Sequence, residues 1–380
     1  MLYLNPTADL YGASACLLNV LRSLDRSRFD AAVVLPAHGP LEAGLAEIGV
    51  PCFVVPGLTV LRKGLLRPAG LAELAASLLP AAWRVVRIAQ RVEADVVHTN
   101  SSVVLTGGLA AQLARRPHVW HVREIAADRP ALWRWFGPLM LRTSERVVCV
   151  SRATAVQFEP FRARSRLRVI YDGLDPDRVR SSVGASEARA SFDLPPQATV
   201  VGSMGYLNPR KGADVLIEAL ARVKTCHERP VRLLIAGAPF PGNEAYLEQL
   251  HGRVRALGLA EEVRFAGFVH DVARFFAALD VFAFAAREPE GFGMAVAEAM
   301  AAGVPVVATG LGGVLEIVED GRSGLLIRPG STDALATALL RLLRDPAERA
   351  RLSAAGRAQA ARQLGRQRTA AELEALYLEL

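Results

Sequence analysis

Two successive series of short β-rich runs, each run separated from the next by a longer helical pattern, constrain this chain more tightly than any other feature. The first series occupies residues 2–5, 32–35, 52–55, 95–99, 118–122 and 146–150, with periodic segments such as 14–24 and 71–92 between them. The second occupies residues 199–204, 231–236, 263–266, 280–285 and 305–309, and helical patterns at 332–343 and 347–363 close it. Strand–helix alternation of this kind implies βαβ units and a parallel sheet. The expected fold class is therefore α/β, with two Rossmann-like, doubly wound parallel-sheet domains at residues 1–178 and 197–364. Residues 181–196, rich in Ser, Ala and Pro, place the linker at 179–196. Such sheets bind ligands outside the carboxyl ends of their strands, so two domains facing across a cleft would put the site between them.

Bulk properties narrow the class further. At 380 residues, 51% of them apolar, the chain suits two ordinary domains and carries no repeat or low-complexity tract. No run of eighteen uninterrupted apolar residues predicts a membrane-spanning helix. The start, Tyr3-Leu4-Asn5, lacks a basic-then-apolar leader, which makes a cytoplasmic location the expectation. Cys16, Cys52, Cys149 and Cys226 are scattered without metal-type spacing and read as buried, reduced thiols. The charge is unevenly placed: residues 1–175 hold 21 Lys and Arg against 14 Asp and Glu, an excess of seven, whereas the remainder holds 24 of each. A solvated surface is the plain explanation for that basic half. The functional one is attraction to an anionic membrane surface or to an acceptor displayed on it. No nucleic-acid partner is expected.

The densest chemistry lies in Glu290-Gly-Phe-Gly-Met-Ala-Val-Ala-Glu298. Eight residues on one helix would turn the second carboxylate about 80° from the first. A shared site is easier if Glu290 lies in a loop and Glu298 on a helix over 294–302, stopped by Gly303 and Pro305. Gly291 and Gly293 suit unusual backbone angles and close approach to a ligand. The open helix end would offer N–H groups to an anion. Carboxylates for hydroxyls and a helix end for phosphate fit a polyhydroxylated, phosphorylated ligand. A second element, Val201-Gly-Ser-Met-Gly205-Tyr-Leu-Asn-Pro-Arg210-Lys211-Gly212, follows one strand and precedes a helix. Its glycine turn and paired cations suit a pyrophosphate that needs its charge neutralised as it leaves. Lys211 is one of three lysines in the chain, with Lys63 and Lys224.

The run from Glu290 through Pro305-Val-Val-Ala-Thr-Gly-Leu-Gly-Gly-Val-Leu-Glu316 to Ile327 resembles the Glu-x7-Glu region of retaining, nucleotide-sugar-dependent glycosyltransferases of the GT-B fold, the family-four type. The resemblance implies transfer of a sugar from a nucleotide diphosphate sugar, as co-substrate, to an acceptor with retention of configuration. No cofactor is expected, and no Asp-x-Asp metal motif stands in the expected place. Glu298 is assigned to ribose hydroxyls and Glu290 to the transferred sugar. The backbone N–H groups of Phe292, Gly293 and Met294 would face sugar and phosphate, with Gly291 part of the same donor-binding turn. Lys211 matches the family's phosphate lysine and Arg210 stands as a second cation, while Tyr206 departs from the arginine many members carry. Gly12 and Gly205 lie in donor loops, and Gly310-Leu-Gly312-Gly313 forms part of the donor site. Phe268 and Val269 fall in the segment whose backbone reads the nucleobase. His121 holds the position near the transferred sugar, with His98 ranked below it, and Arg123 and Glu124 either reach the cleft or pair with each other. The last helix, 365–380, would cross back onto the first domain.

The acceptor expected from family habit is a lipid-linked saccharide or envelope glycan precursor. An aromatic, apolar cluster (Trp133, Trp135, Phe136, Leu139, Met140) and basic residues Arg62, Lys63, Arg67, Arg84, Arg87 and Arg91 read by default as packing and solvated charge. Peripheral contact with the inner face of the cytoplasmic membrane is the alternative. A retaining glycosidase using the two glutamates fits the carboxylates alone but leaves the glycine–lysine element without a role. A nucleotide-sugar epimerase of the same architecture and a non-catalytic sugar-nucleotide or membrane-binding protein remain as rivals.

Overall fold

The computed structural model describes residues 1–61, 68–126, 130–240 and 242–380 and divides the chain into two compact units. The first comprises Met1–Gly173 with Arg366–Leu380, and the second Leu174–Gly365. Arg62, Lys63 and Arg67 lie outside the described residues.

In the first unit seven strands, β1 (Leu2–Leu4), β2 (Ala32–Leu35), β3 (Cys52–Val54), β4 (Val97–Thr99), β5 (His118–Val122), β6 (Arg146–Cys149) and β7 (Leu167–Val169), form one parallel sheet in the order β3-β2-β1-β4-β5-β6-β7. Side chains alternate across it. Leu2 and Leu4 join Val34, Ala82, Val85 and Val97 on one face, while Tyr3 joins Leu17, Leu21, Val33 and Val119 on the other. Both faces are buried, which explains why these strands read as continuous apolar runs. The last helix, Arg366–Leu378, belongs to this unit, and its Leu373, Leu376 and Tyr377 complete the second of these cores.

The second unit repeats the plan with six parallel strands, β8 (Thr199–Met204), β9 (Val231–Ala236), β10 (Val263–Gly267), β11 (Val281–Phe284), β12 (Val306–Thr309) and β13 (Leu325–Ile327), ordered β10-β9-β8-β11-β12-β13. The order reverses between β8 and β11, as it does between β1 and β4 in the first unit. Local signals delimit the helices. Asp345 accepts a hydrogen bond from Glu348 N ahead of Pro346–Gln363, and Gly303, at φ +79°, ends Met294–Ala302.

Three sequence expectations change. Residues 181–196 are part of the second unit and contain the helix Ala185–Ala190, anchored where Arg189 bonds Ala278 O, Pro196 O and Asp280. Strands β7 and β13, three residues each, were absent from the two series. The cysteines are all free, but only Cys16 and Cys149 are buried; Cys226 is exposed where the helix Ala213–Cys226 ends.

Candidate functional site

In the second unit the candidate residues gather at the reversal of strand order, the usual ligand position of an open parallel sheet. The chain leaves β8 through Gly205, whose carbonyl lies against Gly237; a Cβ on Gly237 would stand 1.9 Å from it. Leu207 N donates to Ala238 O (2.9 Å) and Phe240 N to Leu207 O (3.2 Å), knitting the loops after β8 and β9 together. The same loops set Tyr206 edge-on to Phe240, ring centroids 5.2 Å apart. Asn208 then accepts from Lys211 N and caps the single turn Pro209–Lys211. Gly212 follows at φ +69°, where a Cβ would lie 2.0 Å from Ala285 O. Only glycine lets this turn seat against the chain leaving β11, and Arg287 N donates to Arg210 O (2.7 Å) across the same seam.

That seating brings Lys211 Nζ 2.8 Å from Glu290 Oε1, with the two side chains 28% and 23% exposed, and 5.3 Å from the centre of the Phe284 ring. A cation from the β8 loop and a carboxylate from the β11 loop thus meet across the reversal. Arg210 does not share this pair. Its Nε binds Glu288 Oε2 at 2.6 Å on a more exposed surface.

Glu290 is in a loop and Glu298 on the helix Met294–Ala302. The loop is clamped by the turn after β12: Glu290 bridges Gly312, and Gly313 N donates to Glu290 O at 2.8 Å. A Cβ on Gly312 would stand 2.2 Å from Glu290 O, and one on Gly313 2.5 Å from Gly291 O. Phe292 is buried beneath, and Gly293, at φ +99°, opens the helix at Met294 with no side chain capping its first turn. Glu298 keeps partial exposure and makes no hydrogen bond or ion pair among the described residues. Desolvation pushes its pKa above the usual carboxylate value, against the pull of the Arg178 guanidinium. Arg178 sits in the turn Asp177–Val179, within the stretch assigned from sequence to the first domain, so its approach to Glu298 had no sequence signal. Phe268 follows β10, one-third exposed and edge-on to His270 (4.6 Å), with Val269 half-buried beside it.

The first unit holds a second polar assembly at the carboxyl edge of its sheet. Gly12 opens the helix Gly12–Ser23 at φ +29° with open space around it. Asn5, following β1, binds Ser14 Oγ (2.9 Å) and accepts from Asn100 Nδ2 (2.7 Å). Asn100, following β4, accepts in turn from Arg123. The Arg123 backbone N–H donates to Glu124 Oε2 (3.2 Å), but its guanidinium does not bond that carboxylate. It donates to both oxygens of Asp172 at 2.6 and 2.7 Å, and both side chains are nearly buried. Burial works against the guanidinium charge, but Asp172 outweighs it and leaves the Arg123 pKa raised. Glu124 instead takes Ser101 Oγ and the Ser102 backbone and hydroxyl. His121 is fully buried on β5. Its Nδ1 lies 3.2 Å from His98 Nε2, and its Nε2 meets no partner. Burial, then the Arg123 charge, then His98 hold its pKa well below the usual imidazole value.

Residues 11–178 match the family described as Glycosyltransferase Family 4, and residues 185–359 match Glycosyl transferases group 1. Among curated proteins, the chain is 37% identical over 204 residues to the D-inositol 3-phosphate glycosyltransferase of Stackebrandtia nassauensis, covering 52% of this chain and 45% of that protein. It is 30% identical over 248 residues to the lipopolysaccharide core biosynthesis mannosyltransferase LpsB of Rhizobium meliloti, covering 64% and 68%. It is 34% identical over 221 residues to the GDP-mannose-dependent alpha-(1-6)-phosphatidylinositol monomannoside mannosyltransferase of Mycobacterium tuberculosis, covering 56% of each. The chain thus spans about half the length of the first and third of these relatives. Among solved structures, Anabaena Alr3699/HepE in complex with UDP and glucose superposes with a TM-score of 0.86 at 28% identity, over 100% of this chain and 99% of that one.

Proposed function

The chain belongs to the GT-B glycosyltransferases of family-four type, and from that premise we propose that it transfers a sugar from a nucleotide diphosphate sugar to a glycan or lipid-linked acceptor with retention of configuration. The observation that carries the reading is the Lys211–Glu290 pair across the strand reversal of the second unit. In this reading Lys211 draws the diphosphate and offsets the charge that develops as the phosphate leaves. Glu290, released from Lys211, accepts hydroxyls of the transferred sugar, and Glu298 accepts those of the ribose. The first turn of Met294–Ala302 adds its dipole toward the phosphate. The departing phosphate oxygen takes the acceptor proton, so no strong protein base is needed. Neither a metal nor a cofactor has a role in this scheme. The relatives' names, covering mannosyl transfer, lipopolysaccharide core and phosphatidylinositol mannoside, support an acceptor of the cell envelope.

The test is a thermal-shift panel of UDP- and GDP-sugars on wild type and Lys211→Ala, followed by product analysis with the donor that binds. A stabilising donor at 100 times its Kd adds about 2.7 kcal/mol to the folded state. Loss of that shift in Lys211→Ala supports the reading. A panel in which no nucleotide sugar stabilises the protein overturns it, and products formed without any acceptor would point to an epimerase.

A further inference from the structure

A buried line of four side chains runs through the first unit: Tyr3, Tyr377, His98 and His121. Tyr3 Oη and Tyr377 Oη are 2.9 Å apart, Tyr377 Oη and His98 Nδ1 2.7 Å, and His98 Nε2 and His121 Nδ1 3.2 Å. Tyr377 comes from the last helix, and the other three from β1, β4 and β5. His121 Nε2 ends the line, fully buried and without a partner.

Each bond needs one proton, so the line runs in one of two directions. In the first, Tyr3 donates to Tyr377, Tyr377 to His98 Nδ1, and His98 Nε2–H to His121 Nδ1. That leaves a single group unmatched, a proton on His121 Nε2. In the reverse direction Tyr3 keeps an O–H with no acceptor, and His121 Nε2 a lone pair with no donor. The first direction strands fewer buried groups, and a stranded buried donor is costly. Burial, and after it the Arg123 charge, opposes a cationic imidazole at either histidine.

We propose that Tyr377, acting through His98, holds His121 in the tautomer that carries its proton on Nε2, making His121 a neutral hydrogen-bond donor at the carboxyl edge of the first sheet. Tyr377 and His98 are then positioning residues. The tautomer assignment does not rest on the proposed function.

The experiment is long-range 1H–15N NMR of the full chain labelled at histidine, without ligand, with His121 assigned by its loss in His121→Gln. The expected wild-type spectrum has His121 neutral at pH 7 with Nε2 protonated. Tyr377→Phe removes the donor to His98, makes the two directions nearly equivalent, and should lower the Nε2–H population about twofold. Tyr3→Phe leaves the donor to His98 in place and should leave the tautomer unchanged. A His121 protonated on Nδ1 or on both nitrogens in wild type overturns the proposal, even if Tyr377→Phe fails to fold. So does a Tyr377→Phe protein whose tautomer is unaltered. Failure of the donor panel with this spectrum intact would overturn the proposed function and leave the tautomer assignment standing.

Discussion

Lys211 gains its partner by the route through which it would lose it to a substrate. An ion pair one-quarter exposed is modest in energy, because water competes for both groups. A diphosphate with two charges and several oxygens would therefore displace Glu290 from Lys211 and leave that carboxylate free for hydroxyls. Lys211→Ala should lower kcat/KM for the donor by about 100-fold or more, as removal of a positioned charge at the leaving group does; steady-state kinetics with the stabilising nucleotide sugar would read it. Glu298 makes a separate prediction. Its folded-state pKa is raised, so the folded chain holds that proton more tightly than the unfolded chain. The associated stability is present below the unfolded value near 4.5 and is lost as pH rises through the folded one. Glu298→Gln should therefore melt above wild type at pH 7.5, with the gap closing toward pH 4.5; a variant that melts below wild type at neutral pH would contradict the desolvated carboxylate. Both glutamates and Lys211 could be found in sequence because each sits in a short local pattern. Phe284 and Arg178 could not, since their contacts with Lys211 and Glu298 join segments that only folding brings together.

The site is held by close backbone contacts between its elements. Gly212, Gly237, Gly312 and Gly313 each leave no room for a Cβ against a neighbouring main-chain atom. At these glycines the loops after β8, β9, β11 and β12 meet backbone to backbone, which fixes the carboxyl edge beneath the side-chain pairs. Gly212→Ala combines a left-handed backbone with a contact that only movement of Ala285 relieves. It should cost about 2 kcal/mol or more, lowering Tm by roughly 4–8 °C in a unit of this size, and should weaken donor binding because Lys211 adjoins the displaced turn. Differential scanning fluorimetry with and without donor separates the two effects, and an unchanged Tm would remove the packing argument. These glycines were visible in sequence as turns, but which atom each one touches was not. Central strands were legible for a related reason: burial on both faces writes them as unbroken apolar runs. Strands β7 and β13 are three residues long, sit at sheet edges and are only partly buried, so their pattern is too short to separate from a loop. The helix Ala185–Ala190 hid in a Ser- and Ala-rich stretch because composition alone does not distinguish a linker from a short helix held by one arginine.

Over the whole molecule, the chain passes from the first unit to the second near residue 173 and returns near 365, so the last helix completes a core laid down by the first strands. The basic excess of seven therefore belongs to a unit that folds around both ends of the sequence. Two helices of that unit present aromatic residues to solvent. Pro68–Arg91 exposes Leu79 and Trp83 beside Arg84 and Arg87, and Pro130–Arg142 exposes Trp135 (83%) and Leu139 beside Arg134 and Arg142. The cluster read from sequence divides here: Trp133, Phe136 and Met140 turn inward and pack with Phe158, while Trp135 and Leu139 turn outward. Among the described residues no helix is long and apolar enough to cross a bilayer. Exposed tryptophans flanked by arginines suit the headgroup region, where the ring enters the interface and the cation meets anionic lipid. Full-length protein should float with vesicles containing phosphatidylglycerol and not with neutral ones. Binding should be lost at about 1 M salt, where the Debye length shortens to about 3 Å. Trp83→Ala with Trp135→Ala should lower the bound fraction severalfold at low salt while leaving Tm nearly unchanged, because neither side chain is buried. Charge alone would give salt-sensitive flotation that the double variant retains, and that result would confine the contact to the arginines. Absence of salt-sensitive flotation in wild type would rule out this membrane contact.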